Sequence, residues 1–322
     1  MTAMTDDTLQ VAPRTVRDEM IVFVVMALML AVVPLTGVYP FFVMQALCFA
    51  LLACAFNLLV GYGGLLSFGH AMFLGTAGYC TAHALKVWGL TPELGIVIGT
   101  LGACALGVIT GVVAIRRQGI YFSMITLALS QLLYFIYLQA PFTHGEDGIQ
   151  GIPQGYLFGI FNLARPTTLY YVILTGFLLG FLLIYRAINS PFGEVLKSIR
   201  ENEQRAISLG YKTDHYKLLA YILSATLAGF AGSLKVFVAQ NASLTDVHWT
   251  MSGEVVLMTL VGGLGTVFGP VVGAFVIIAM QQYLAGFGQW VTVIQGVIFV
   301  VCVLTFRRGV VGEIAHFFRR SL

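Results

Sequence analysis

Apolar residues run through this chain in long unbroken stretches separated by short polar punctuation. A helix needs roughly 20 residues to cross a bilayer. Stretches of about that length fall at 20–37, 41–60, 67–86, 94–115, 119–139, 168–187, 217–239, 251–266, 268–287 and 290–306. None alternates with period two, which argues against a barrel. The stretch 251–266 is shorter than a full span and is broken by glycine. Residues 1–19 are polar, with Arg14 and Arg17 just before the first stretch, and no small-residue cleavage pattern follows. The first span is therefore expected to be retained. The expected fold class is an all-α membrane protein, a polytopic helical bundle of about ten transmembrane helices. The expected organisation is a cytoplasmic N-terminal segment 1–19, a transmembrane domain 20–306 and a cytoplasmic tail 307–322.

One polar stretch interrupts the pattern, at 190–217, reading SPFGEVLKSIRENEQRAISLGYKTDHYK. Arg186, Lys197, Arg200, Arg205, Lys212 and Lys217 lie in or beside it, with Glu194, Glu201, Glu203 and Asp214 among them. Ser190 can cap a helix with Pro191 at its first position, where a missing N–H costs nothing. Gly210 is placed to end the helical pattern. Val195, Leu196 and Ile199, then Ala206, Ile207 and Leu209, offer short apolar ridges. Such a segment is either a solvated connection or a docking surface for a soluble partner.

Composition narrows the class. The 322 residues are 58% hydrophobic and only 10% charged, with a mean hydropathy of +0.90. Soluble domains carry about 25% charged residues. So much apolar surface requires lipid as solvent, and lipid requires a backbone that satisfies its own hydrogen bonds. The charge distribution gives an orientation. With the N-terminus inside, all of the 17 basic residues except Lys86, Arg165 and Lys235 fall on inner segments. This follows the positive-inside rule and puts both termini and the 190–217 loop in the cytoplasm. The net charge of +3 says little about nucleic acid, because the basic residues follow loops. Cys48, Cys54, Cys80, Cys104 and Cys302 all lie in apolar stretches and read as small buried hydrophobes.

Two glycine clusters are expected at the inner ends of spans. One contains Gly61, Gly63, Gly64 and Gly69, next to Ser67 and His70; the other contains Gly262, Gly263, Gly265 and Gly269. Glycine weakens helices, and irregular backbone at membrane depth is tolerated where protein or a water-filled cavity covers it. Broken helices of this kind often line transport paths, while close packing through small residues is the plainer reading. The longest outer loop, 140–167, is acidic and glycine-rich, and either shapes an outer lip or is an ordinary loop. Uncharged polar residues occur inside spans, among them Asn57, Tyr121, Ser123, Thr126, Ser224, Gln281 and Gln295. Each is either a path contact or an interhelical hydrogen bond. The stretch 118–131 is the richest and is the first choice for a path helix. The candidate path set is Tyr121, Ser123, Thr126, Ser67, His70 and Asn57.

Charge within spans is scarce, as expected where a central charge costs at least about 2.5–3.5 kcal/mol. Glu254 is the main exception, near the outer end of its span, with Asp246 preceding it. Lys86 and Lys235 sit at span ends, where they can snorkel. There is no HExxH, Walker A, GxSxG or GxGxxG between a strand and a helix. Cys80 and His83 share a helix face but lack further ligands, so no metal site and no catalytic residues are expected.

Several motifs in order resemble one family. They are NLLVGYGGLLSFGHAMFLGTAGY at 57–79, GIYFSMITLAL at 119–129, HGEDGIQGIP at 144–153, IRENEQRAISLGY at 199–211 and VVLMTLVGGLGTVFGPVVGA at 255–274. Together they resemble the LivM-type permeases of the branched-chain amino-acid ABC importer family over roughly 20–310. The resemblance implies a bacterial inner-membrane subunit that pairs with a second, related permease. It implies two cytoplasmic ATPase subunits, which bind the ATP and Mg, and a periplasmic binding protein that delivers the solute. This chain would then hold no cofactor and be no enzyme by itself. The family's cytoplasmic coupling loop docks into the ATPase; its pattern falls on Glu203, Ala206 and Gly210, with Arg200 and Arg205 on the same loop. The chain departs from a Glu-Ala-Ala start, having Gln204 and Arg205 after Glu203.

The alternatives are the same architecture for urea, an amide, an aromatic acid or another small solute, or a stand-alone secondary carrier or channel. The scarcity of intramembrane charge argues against an ion-driven carrier. An intramembrane enzyme would need a catalytic constellation that the spans lack.

Overall fold

The computed structural model describes residues 16–35, 37, 39–288, 290–305, 309 and 312. Most of the 1–19 segment, the 307–322 tail apart from Gly309 and Gly312, and the side chains of Arg17 and Cys302 lie outside the described residues. The apolar helices are α1 (Val16–Val32), α2 (Pro40–Asn57), α3 (His70–Lys86), α4 (Pro92–Ala114), α5 (Ile120–Gln139) and α6 (Pro166–Ile188). Two short polar helices follow, α7 (Pro191–Glu201) and α8 (Glu203–Ser208). The chain continues through α9 (Thr213–Ala239), α10 (Trp249–Gly262), α11 (Gly269–Leu284) and α12 (Trp290–Thr305). Among the described residues, five helices are long and apolar enough to cross a membrane: α2 with its following turn, α4, α5, α6 and α9.

Proline marks many of the helix starts. Pro40, Pro92, Pro166, Pro191 and Pro270 all occupy a first-turn position, where a residue without an N–H forfeits nothing. Successive apolar helices run antiparallel. One end of the bundle carries α7 and α8; the other carries the 140–165 loop. In that loop β1 (Ile149–Gln150) pairs antiparallel with β4 (Asn241–Ala242), and β2 (Tyr156–Leu157) with β3 (Phe161–Asn162). Lys86 Nζ donates to the Gln150 carbonyl at 2.6 Å and fastens the loop to α3.

The core forms around α2. From Val43 to Leu59 only Gln45 escapes full burial. A helix that is apolar all round has no face to give to solvent and is sheathed by its neighbours, here α6, α9, α10 and α11. A second layer packs α3, α4 and α9 against one another. Small residues set the approach distances. A Cβ at Gly232 of α9 would overlap the Leu74 carbonyl oxygen of α3, and one at Gly273 of α11 would overlap the Met258 carbonyl of α10. Thr81 Oγ1, 3.1 Å from the Gly95 carbonyl and 3.0 Å from Ser233 Oγ, knits α3, α4 and α9.

The structure revises several expected boundaries. The stretch 67–86 becomes helical only at His70, because the first glycine cluster is irregular through Gly69. The stretch 251–266 becomes α10 and ends at Gly262, where Gly263 at φ +124° leaves helical space. The 190–217 segment is two helices, not one. Asn202 breaks it in extended conformation and caps α8, its Oδ1 accepting from Arg205 N at 3.0 Å. Ser190 occupies the cap position of α7 without capping; its hydroxyl donates to the Ala187 carbonyl at 2.7 Å. Helix α9 begins at Thr213, so Lys217 is part of it. Lys235 does not snorkel but pairs with Asp246, with its ammonium over the Phe49 ring.

The close approach of α3 and α9 predicts a specific sensitivity. Gly232→Val drives a branched side chain into the Leu74 carbonyl and is expected to cost about 1–3 kcal/mol. Gly296→Ala on α12, which meets nothing within 4 Å, is the matched control. Melting of the detergent-purified protein should fall by several degrees for the first and stay near wild type for the second. Equal melting points would refute this packing.

Candidate functional site

The end of α2 is where the irregular segments meet. After Asn57 the helix loosens into a π turn, Leu58–Tyr62. The chain then reverses through Gly64 at φ +69°, with Leu65 N donating to the Leu59 carbonyl at 3.2 Å. The Asn57 side chain faces the loop between α10 and α11. Its Nδ2 donates to the Thr266 carbonyl at 2.8 Å and its Oδ1 accepts from Gly265 N at 3.0 Å. Thr266 tightens that loop, donating to the Gly263 carbonyl at 2.7 Å and accepting from Gly269 N at 3.1 Å. The two glycine clusters, two hundred residues apart in sequence, thus share one amide. Glycine is required at 61 for reasons of space: a Cβ there would overlap Asn57 Oδ1 and come within 2.8 Å of Gly265 N.

Helix α7 reaches into this junction. Arg200 Nη1 donates to the Gly61 carbonyl. The Arg200 stem lies so close to Gly64 that a Cβ there would sit 2.8 Å from Arg200 Cγ. A guanidinium on a free helix-end carbonyl is a charge-assisted bond, and here it joins a polar surface helix to the break in the central helix. Lys197, one turn earlier, holds its ammonium 5.9 Å from the centre of the Tyr62 ring.

Helix α8 is fixed by Glu203. Its Oε1 accepts from Lys217 Nζ at 2.5 Å, from Gln118 Nε2 at 3.0 Å and from Thr213 Oγ1 at 3.3 Å. Lys217 is only 3% exposed, so this carboxylate neutralises a nearly buried cation at the foot of α9. The same bonds tie α8 to the connection between α4 and α5. The far end of α8 closes in a Schellman turn. Tyr211 N donates to the Ala206 carbonyl at 3.1 Å and Gly210 N to the Ile207 carbonyl at 2.9 Å, with Gly210 at φ +88°. Ala206 is buried, while Ile207 (48% exposed) and Leu209 (71%) point outward beside exposed Arg205 and Tyr211.

The polar span residues form a cage around the first glycine segment. Ser123 Oγ donates to the Leu66 carbonyl at 2.6 Å; Thr126 Oγ1 donates to the Ser123 carbonyl at 2.9 Å and accepts from Phe68 N at 3.1 Å. Ser67 Oγ accepts from Gly69 N at 3.2 Å. Ser224 Oγ donates a hydrogen bond to the Ala55 carbonyl at 2.5 Å, so His70 Nε2, 2.8 Å away, is the donor to that hydroxyl. The His70 ring stands edge-on to Phe56 and Phe73. Asn57, Ser67, His70, Ser123 and Thr126 are all buried at this end of the bundle. Tyr121 is not with them; it is 66% exposed on the outer face of α5. Sequence reasoning missed the Arg200–Gly61 bond and the gathering of Lys217, Thr213 and Gln118 on Glu203. No spacing rule links residues so far apart; only the presence of isolated polar groups at both places hinted at them.

The arrangement has no nucleophile–base pair and no set of metal ligands among the described residues. What it offers is mechanical: a polar helix pair joined to the breaks of three apolar helices. The chain is similar in sequence to known proteins. A family model described as branched-chain amino acid transport system, permease component, matches residues 39–304. The high-affinity branched-chain amino acid transport system permease protein LivM of Escherichia coli (strain K12) is 27% identical over 309 residues, 86% of this chain and 72% of that protein. LivM of Salmonella typhimurium is 26% identical over 291 residues, covering 81% and 67%. The autoinducer 2 import system permease protein LsrC of Yersinia pseudotuberculosis (serotype O:3, strain YPIII) is 25% identical over 209 residues, covering 61% and 56%. No solved structure matches the chain. With its apolar helices and a match over most of its length, this multi-pass membrane protein belongs to the permease-component family of the branched-chain amino acid transport systems.

Proposed function

We propose that this chain is the membrane-spanning permease subunit of an ATP-driven importer for branched-chain or similar hydrophobic amino acids. A periplasmic binding protein delivers the solute, a second related permease completes the membrane core, and two cytoplasmic ATPases bind ATP and Mg. The observation that carries this reading is the α7–α8 unit, an exposed apolar and basic surface bonded directly to the glycine junction. The membrane is the bacterial inner membrane. Ten apolar helices of alternating direction cross it, with α7 and α8 inside. The basic residues support this orientation, because Arg116, Arg117, Arg186, Lys197, Arg200 and Arg205 all gather at the α7–α8 end. Lys86 and Arg165 lie at the opposite end, beside the 140–165 loop.

In this mechanism Ile207, Leu209 and Tyr211 dock into the ATPase. Movement of α7 passes through Arg200 to Gly61, and through Asn57 to Gly265. The glycine-broken segments then open the path alternately to the two sides. Permeases for other small solutes share this architecture, and the similarity to an autoinducer 2 import permease supports that second reading of the solute.

Co-expression with the neighbouring transport genes tests the assignment. A purified four-subunit membrane complex whose ATPase is stimulated by binding protein and leucine is the expected result. A complex that ignores leucine removes the solute assignment, and a chain that transports alone without ATP removes the importer. Arg200→Ala in that complex is expected to leave ATP hydrolysis within about twofold while leucine uptake drops by roughly tenfold or more; parallel losses of both would contradict the linkage. Leu209→Asp places a charge in an apolar contact and should strip the ATPases from the purified permease. Unchanged ATPase recovery would exclude this surface as the dock.

A further inference from the structure

At the other end of the bundle, one carboxylate lies on a helix face that the described residues cover only in part. On α10 the residues that look away from the core are Thr250, Gly253, Glu254, Leu257 and Leu260, while Ser252, Val255, Met258 and Thr259 face inward. This is one stripe at helical spacing. A Cβ at Gly253 would meet nothing within 4 Å, so space opens beside Glu254. Glu254 is half-buried, and one of its oxygens, Oε2, accepts from Gln281 Nε2 of α11 at 3.0 Å. Its other oxygen has no partner among the described residues.

The surroundings fix the local charge. The Lys235–Asp246 pair lies near enough to act on Glu254 electrostatically, and Lys235 is already engaged by Asp246 and the Phe49 ring. When Glu254 is ionised, two carboxylates and one ammonium leave one negative charge uncompensated. Glu254 sits about 7.5 Å along α10 from Trp249 at 1.5 Å per residue, below the helix end and within the apolar stretch. A carboxylate there cannot face acyl chains without a penalty of a few kcal/mol, and intramembrane acids face bundle interiors or water-filled cavities. An ionised Glu254 therefore calls for a polar space beside the stripe and for a cation to compensate it.

Resting on the permease reading above, we infer that Glu254, held by Gln281, lines the translocation path between this chain and the second permease and receives the ammonium group of the amino acid. The aliphatic side chain of such a solute has its counterpart in Leu257 and Leu260 further along the stripe. The ammonium is the sole cationic group of such a solute, and the free Oε1 can accept one of its hydrogens. Retention is weak by construction, with one carboxylate oxygen and no enclosing shell, which suits a site that must release its solute onward.

Charge and shape separate this role from a structural one. In the assembled transporter in proteoliposomes, with binding protein and labelled leucine, Glu254→Asp keeps the charge and shortens the reach. Glu254→Gln keeps the shape and its bond to Gln281 but removes the charge. Uptake is normalised to ATP hydrolysis in the same vesicles. The expected order is wild type, then Glu254→Asp within about threefold, then Glu254→Gln lower by roughly tenfold or more. Glu254→Gln at the wild-type rate, or above Glu254→Asp, overturns the inference while leaving the importer intact. A wild-type transporter that does not import leucine overturns both. A second measurement needs no loss of function: Gly253→Cys, in open space, is expected to react with a membrane-impermeant cationic thiosulfonate about tenfold faster than with its anionic counterpart, above the reactivity of the unaltered chain. Absence of labelling means the stripe faces lipid and removes the inference.

Discussion

The amide of Asn57 accepts a hydrogen bond from Gly265 N and donates one to the Thr266 carbonyl, and both irregular segments are held by that pair of bonds. An amide buried without partners would cost several kcal/mol, and so would the loose backbone groups it satisfies. Asn57 can stand there only because α2 is enclosed by other helices, so its C-terminal break is covered by protein and not by lipid. The glycines at 61, 64, 263 and 265 then follow as spatial and conformational necessities. They bring two backbone segments close enough for one side chain to span them, and Arg200 closes the arrangement from the polar side.

Much of the bundle was legible in the sequence because the apolar stretches are long and continuous, and Gly210 was legible as the end of the polar segment. The structure adds that Pro40, Pro92 and Pro166 open helices and that Gly263 closes α10. Other features were hidden. Helix α2 is apolar on every side, so its pattern gives no direction, and its central place emerges only from its neighbours. Asn202 was unreadable as a break because the residues around it are all helix formers, and its own side chain supplies the cap that makes two helices of one. Of the polar residues of α5, Ser123 and Thr126 bond the backbone at Leu66 and Phe68, which the sequence could not show. Helical spacing groups residues on a face but does not say whether that face borders water, lipid or another helix.

The two ends of the molecule treat charge differently. At the α7–α8 end the cations are numerous and several reach protein acceptors: Arg200 a carbonyl, Lys217 a carboxylate. At the other end the ion pair Lys235–Asp246 is enclosed and Glu254 stands beside it with one oxygen free. A buried pair adds little net stability once desolvation is counted. What it contributes here is a fixed electrostatic background beside Glu254, whose Oε1 has no partner among the described residues.

Lys217 and Lys235 belong to the same helix, and their separation has a mechanical meaning. Eighteen positions at 3.6 residues per turn is about five whole turns, so both side chains leave α9 in the same direction, about 27 Å apart. Each is pinned by a carboxylate from outside the helix, Glu203 at one end and Asp246 at the other. A helix tied at two points on one side is fixed in rotation as well as in position, so its two ends cannot be turned independently of Glu203 and Asp246 without breaking an ion pair.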